Sequence, residues 1–152
     1  MVSAIIHLFP ATIHPMVVHF TIAIIYLAGL AGLAGLIFRR DNMYPRVFLI
    51  LLAFSILATL AAGVAGVISE SYAHITPTVA KILATHKKYG EFTGVLVVIG
   101  FVLQAWKWWN KGEDAKVSLP AFFFTVVAVI MVSLTGHLGG MMVYHHALGV
   151  TG

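Results

Sequence analysis

The side chains of this 152-residue chain best suited to chemistry are its eight histidines: His7, His14, His19, His74, His86, His137, His145 and His146. There is no cysteine, which excludes disulfides, thiolate metal sites, iron–sulfur clusters and covalent haem attachment through C-x-x-C-H. Any cofactor must hang on histidine, methionine or carboxylate. The densest group lies in TGHLGGMMVYHHALGV, Thr135 to Val150, where three histidines are set among four glycines and two methionines.

Imidazoles without thiolates suit haem iron held by axial histidines, or a bare transition metal such as copper, zinc or iron. Haem needs two ligands on opposite sides of a flat apolar slot, with basic or polar groups where the propionates emerge. His19, His86, His137 and one of His145 or His146 are candidate ligands, Gly139 and Gly140 offer clearance, and Lys87, Lys88 and Tyr144 suit the rim. A bare divalent ion calls for three or four ligands in close array, often with a carboxylate, for which Glu70 and Glu91 could serve. No carboxylate lies near His19 or His137 in the sequence, which favours haem. Met141 and Met142 read as packing residues. A Ser-His-Asp arrangement is not assembled, because Asp41 and Asp114 are far from every histidine.

The elements that position these groups are helices in lipid. The chain is 61% hydrophobic and 9% charged, against roughly 45–50% and 25% for a soluble domain. Its net charge of +4 is too small and dispersed for a nucleic-acid footprint, so no nucleic-acid partner is expected and the basic residues read as topology signals. The opening MVSAIIHLFPATIHP lacks the basic region of a secretory signal and is read as part of the mature protein.

Four stretches approach the roughly 20 apolar residues that cross a bilayer: 17–38, 47–68, 90–109 and 119–138. Between the second and third, Thr76 and Pro77 mark a helix start, and Val79, Ile82, Leu83 and His86 form an apolar stripe, so a short amphipathic helix is expected over 77–88. Arg39, Arg40, Arg46, Lys107, Lys111 and Lys116 fall on one side and Lys81, Lys87 and Lys88 on the other, which predicts both termini outside. Small residues pair at close-packing spacing, Ala28 with Gly32, Ala31 with Gly35, Ala62 with Gly66 and Gly90 with Gly94. The expected fold is all-α: one transmembrane domain over 1–152, an integral membrane four-helix bundle with a short amphipathic outer helix between spans two and three. No repeat is longer than the local GLAGLAGL.

On this topology all eight histidines lie outside or in the outer part of the membrane. His19 shares a helix face with Ala23 and Tyr26, and a polar group at that depth is expected to face the bundle interior. His137 follows an apolar run, one turn after Ser133, and carries the same expectation, against a competing reading in which Gly139 and Gly140 simply end the helix. His86 is aimed inward by its stripe. His14, beside Pro15, reads as a helix-start residue, and His7 and His74 as interfacial.

Three motifs, HPMVVHF from His14, HKKYG from His86 and TGHLGGMMVYHHALGV from Thr135, resemble those of the bacterial and archaeal membrane family known as domain of unknown function 2231, over nearly the whole chain and with four spans in the same order. The resemblance marks His14, Pro15, His19, His86, Gly139, Gly140, Tyr144 and His146 as recurring positions, and it prefers His146 to His145. This chain departs from the pattern at Thr21, where proline often stands, and at Ala147, where glycine often follows the last histidine. The resulting expectation is a small b-type cytochrome of a prokaryotic inner membrane, more an electron carrier or subunit than a stand-alone enzyme. It would hold one or two haem b groups in its outer half and pass electrons between quinone or a membrane redox subunit and an outside acceptor. His19 and His137 are the first axial candidates, His86 and His146 complete a pair or serve a second haem, and His14 orients its neighbours or substitutes as a ligand. The alternatives are a cofactor-free accessory or structural subunit and a histidine-based transition-metal protein.

Overall fold

The computed structural model describes Pro10 and residues 12–148. They form four long helices: α1 (Ile13–Ile37), α2 (Met43–Glu70), α3 (Pro77–Lys111) and α4 (Leu119–Tyr144), with a 3-10 turn, Gly112–Asp114, after α3. All four are long and apolar enough to cross a membrane. The described residues contain no strand.

Local signals start and stop these helices. Thr76 is extended and its side chain accepts a hydrogen bond from the Val79 amide at 3.4 Å, with Pro77 in the first helical position. Residues 77–88 are helical as expected and continue without a break into the third span. The reason is visible in the stripe Val79, His86, Thr93, Val97, Gly100 and Gln104, all buried: its period persists, and no proline after Pro77 interrupts it. Gly112, at φ 58°, ends α3 in a left-handed conformation that glycine adopts without strain. At the start of α2, the Asp41 carboxylate accepts from the Met43 amide at 2.8 Å.

Consecutive helices pair as hairpins, α1 with α2 and α3 with α4, and contacts of α1 with α4 and α2 with α3 close the bundle. That order leaves α1 and α3 on one diagonal. Ile25, Ala28, Phe48, Leu52, Val97, Ala121 and Ala128 fill the core. Small residues set the helix separation: a Cβ on Gly32 would lie 2.8 Å from Phe122, and one on Gly35 2.5 Å from Val117. The hydroxyls of Thr21, Ser55, Thr93 and Thr125 are buried, and each donates to a helix carbonyl, as a bundle in hydrocarbon requires. Leu30, Leu57, Leu60 and Phe123 point outward, where the surrounding solvent is lipid.

Candidate functional site at the histidine end

Helix register decides which histidines can meet. In α1 the inner face is Thr21, Ile24, Ile25, Ala28, Ala31, Gly32 and Gly35. His14 lies two turns before Thr21 and so shares that face, whereas His19 is only two residues from Thr21, roughly 160° around the helix. His19 is accordingly exposed, with Nδ1 turned back to the Pro15 carbonyl of its own helix. Its companions Ala23 and Tyr26 are exposed too. They share a face with His19 as expected, but that face looks away from the interior.

The same offset removes His137. The inner face of α4 is Ala121, Thr125, Ala128, Val132 and Met142, and His137 stands roughly half a turn away from it, exposed. α4 ends at Tyr144, which is exposed, and His145 and His146 follow in an exposed turn. Ala147 bends the chain with φ 51° despite its Cβ. His74 is exposed, and His7 lies outside the described residues. Of the rim groups, Lys87 pairs with Glu70 at 2.5 Å, while Lys88 is exposed. Met142 is buried as a packing residue.

The two histidines on inner faces do converge. The rings of His14 and His86 stand 5.9 Å apart, centre to centre, at an interplanar angle of 77°. They come from α1 and α3, so they meet across the diagonal. The other two helices contribute glycines at the same level: a Cβ on Gly66 of α2 would lie 3.3 Å from Nδ1 of His14, and one on Gly139 of α4 would lie 3.4 Å from Cε1 of His86. The layer alternates imidazole, glycine, imidazole, glycine. The glycines make room for the rings themselves, while Gly140 meets only Tyr144 of its own helix.

Each imidazole is tied down in the same way. Nδ1 of His14 lies 3.0 Å from the Ala62 carbonyl oxygen of α2, and Nδ1 of His86 lies 2.9 Å from the Thr135 carbonyl oxygen of α4. A carbonyl only accepts, so both Nδ1 atoms carry the proton and both Nε2 atoms of the neutral rings are left as acceptors. No described residue hydrogen-bonds either Nε2, and among the described residues no buried side-chain nitrogen or oxygen lacks a partner. The Nε2 atoms therefore keep accessible surface. The His14 amide donates to Ser69 Oγ at 3.2 Å, which satisfies a first-turn donor of α1 from α2.

A repeat invisible in the letters appears here. His14 and His86 each precede, by two turns, a buried threonine (Thr21, Thr93), and each bonds a carbonyl one turn before the glycine beside its ring (Ala62 before Gly66, Thr135 before Gly139). Two equivalent hairpins thus present one imidazole apiece.

Two imidazoles at one level limit which metal groups this site could hold. No group of three or more His, Asp or Glu that could hold an ion occurs among the described residues, and a bare divalent ion normally takes three or four protein ligands. Haem iron takes four ligands from its macrocycle and needs only two axial ones.

Four apolar helices around a diagonal pair of imidazoles define a multi-pass membrane bundle with a two-donor site at one end. Residues 10–152 match the family described as "Predicted membrane protein (DUF2231)", and the chain belongs to that family. No curated protein and no solved structure matches it.

The signal that could have found His14 was present in the small residues. Ala28 and Gly32 mark the close-packing face of α1, and four turns back from Ala28 along that face is His14, not His19.

Proposed function

We propose that this protein is a b-type-cytochrome-like electron carrier of a prokaryotic inner membrane, with one haem held axially by His14 and His86. The observation that carries the reading is the diagonal pair itself, two imidazoles each tied through Nδ1 and each with an unpartnered Nε2. Haem iron in such a site would supply reversible one-electron transfer. The chain's own part is positional: the Ala62 and Thr135 carbonyls fix the tautomers and raise the basicity of the ligating nitrogens, and Gly66 and Gly139 leave space for the rings.

The distribution of lysine and arginine supports an orientation with both termini outside, which sets the pair near the outer face. Electrons would then pass between quinone or a membrane redox subunit and an acceptor on that side. His19, His137 and His146 take no part as ligands in this reading.

Absorption spectra of the detergent-purified protein, oxidised and dithionite-reduced, test it. A Soret band that shifts on reduction is expected. A colourless protein carrying stoichiometric copper or zinc would replace haem by a bare metal, and a colourless, metal-free protein would leave the accessory-subunit role.

A further inference from the structure

We propose that the end of the bundle opposite the histidines binds the phosphate of an anionic lipid, in a cleft between the last turn of α1 and the start of α4. This inference is independent of the haem reading. The cleft, about 330 Å³, is lined by Gly35, Leu36 and Arg39 from α1, Lys107 from α3, and the segment from Lys116 to Pro120 that leads into α4. Three cations thus face one space, and no carboxylate lines it.

No described carboxylate forms an ion pair with any of the three. The ion pairs among the described residues are Arg46 with Glu113 and Lys87 with Glu70. Arg39 Nε instead donates to the Leu36 carbonyl at 3.1 Å, Lys107 Nζ to the Val117 carbonyl at 3.2 Å, and Lys116 Nζ to the Asn42 side-chain oxygen at 2.5 Å. These partners are neutral, and each group retains further N–H donors for an anion.

The wall carrying the lysines is held in place. Gln104 is fully buried; its Oε1 accepts from the Ser118 amide at 2.8 Å and its Nε2 donates to the Lys116 carbonyl at 3.4 Å. Gly35 admits the Val117 side chain where a Cβ would collide. The first turn of α4 opens on the same cleft, and its N-cap residue Ser118 makes no side-chain cap bond, so the positive end of that helix adds to the three cations. A phosphate diester suits this set of point charges. Its source is argued from the surroundings: Ile37, Leu119 and Phe123 are all more than half exposed beside the cleft, which offers apolar surface for acyl chains directly below a headgroup site.

The test titrates purified protein with phosphatidylglycerol, with zwitterionic phosphatidylcholine and with inorganic phosphate, reading retained lipid by native mass spectrometry and the thermal unfolding midpoint. Phosphatidylglycerol should be retained and raise the midpoint, and the other two should not. Arg39→Gln, whose hydrogen bond to Leu36 is confined to its own helix, and Lys107→Gln should each weaken that binding about fivefold. Lys81→Gln and Lys88→Gln, exposed at the other end, should leave it unchanged. The unfolding midpoint in phosphatidylcholine shows that each variant is folded. Equal effects of inorganic phosphate and phosphatidylglycerol would overturn the lipid assignment in favour of a soluble anion. Equal losses from Lys81→Gln and Lys107→Gln would overturn the site altogether, leaving diffuse surface charge.

Discussion

The imidazoles of His14 and His86 face one another across the diagonal of the bundle, 5.9 Å apart, while each reaches outward through Nδ1 to a carbonyl of the helix beside it. Because both Nδ1 atoms are committed as donors, one layer of the protein holds two acceptor nitrogens that no described residue engages. A Lewis acid between the rings would satisfy both at once, which links this geometry to the proposed haem.

Alanine at either member of the pair should abolish the haem absorbance or convert the iron to high spin. His19→Ala and His137→Ala, whose side chains lie on outer faces, should leave the spectrum as it is. Loss of haem from the outer pair with retention in the inner pair would refute the assignment.

The glycines of the layer make a sharper test, since they touch no cofactor chemistry of their own. Gly66→Ala and Gly139→Ala would press a methyl group to 3.3–3.4 Å from an imidazole and disturb its hold on the neighbouring carbonyl. Haem affinity should fall about tenfold or more, the usual cost of disturbing groups that orient a ligand. Gly63 and Gly94 have nothing within 4 Å of an added Cβ. Alanine there should keep haem binding and leave the unfolding midpoint unchanged or higher, because alanine favours helix by about 1 kcal/mol. Haem titration of the four purified variants decides it.

Gln104, fully buried within α3, has a fastening role. Gln104→Leu would strip the Ser118 amide and the Lys116 carbonyl of their buried partner, at a cost of about 1–3 kcal/mol. A lower unfolding midpoint with an unaltered haem spectrum is expected, since the residue lies at the far end of the bundle from the histidines. A changed spectrum would contradict that separation.

Ala147 carries the opposite sign. At φ 51° its Cβ crowds the backbone, and Ala147→Gly should relieve about 1 kcal/mol of strain. The measurement is the unfolding midpoint, and a fall on substitution would show that the bend is not strained.

Helix count, membrane class and family were legible in the chain alone, because apolar length, scarcity of charge and local motifs are one-dimensional properties. Which face of each helix turns inward was not. In lipid both faces are apolar, so hydrophobic contrast around α1 and α4 vanishes, and the sequence pointed to His19 and His137 as the interior residues while His14 read as a helix start. Only close packing separates the faces, through small residues such as Ala28, Gly32 and Gly66 that allow neighbouring helices to approach. The diagonal meeting of α1 with α3, the carbonyls of Ala62 and Thr135 as anchors, and the convergence of Arg39, Lys107 and Lys116 each join positions distant in sequence. Tertiary structure alone decided them, because contact across a bundle depends on how helices are arranged and rotated against one another, which no spacing within a single helix records.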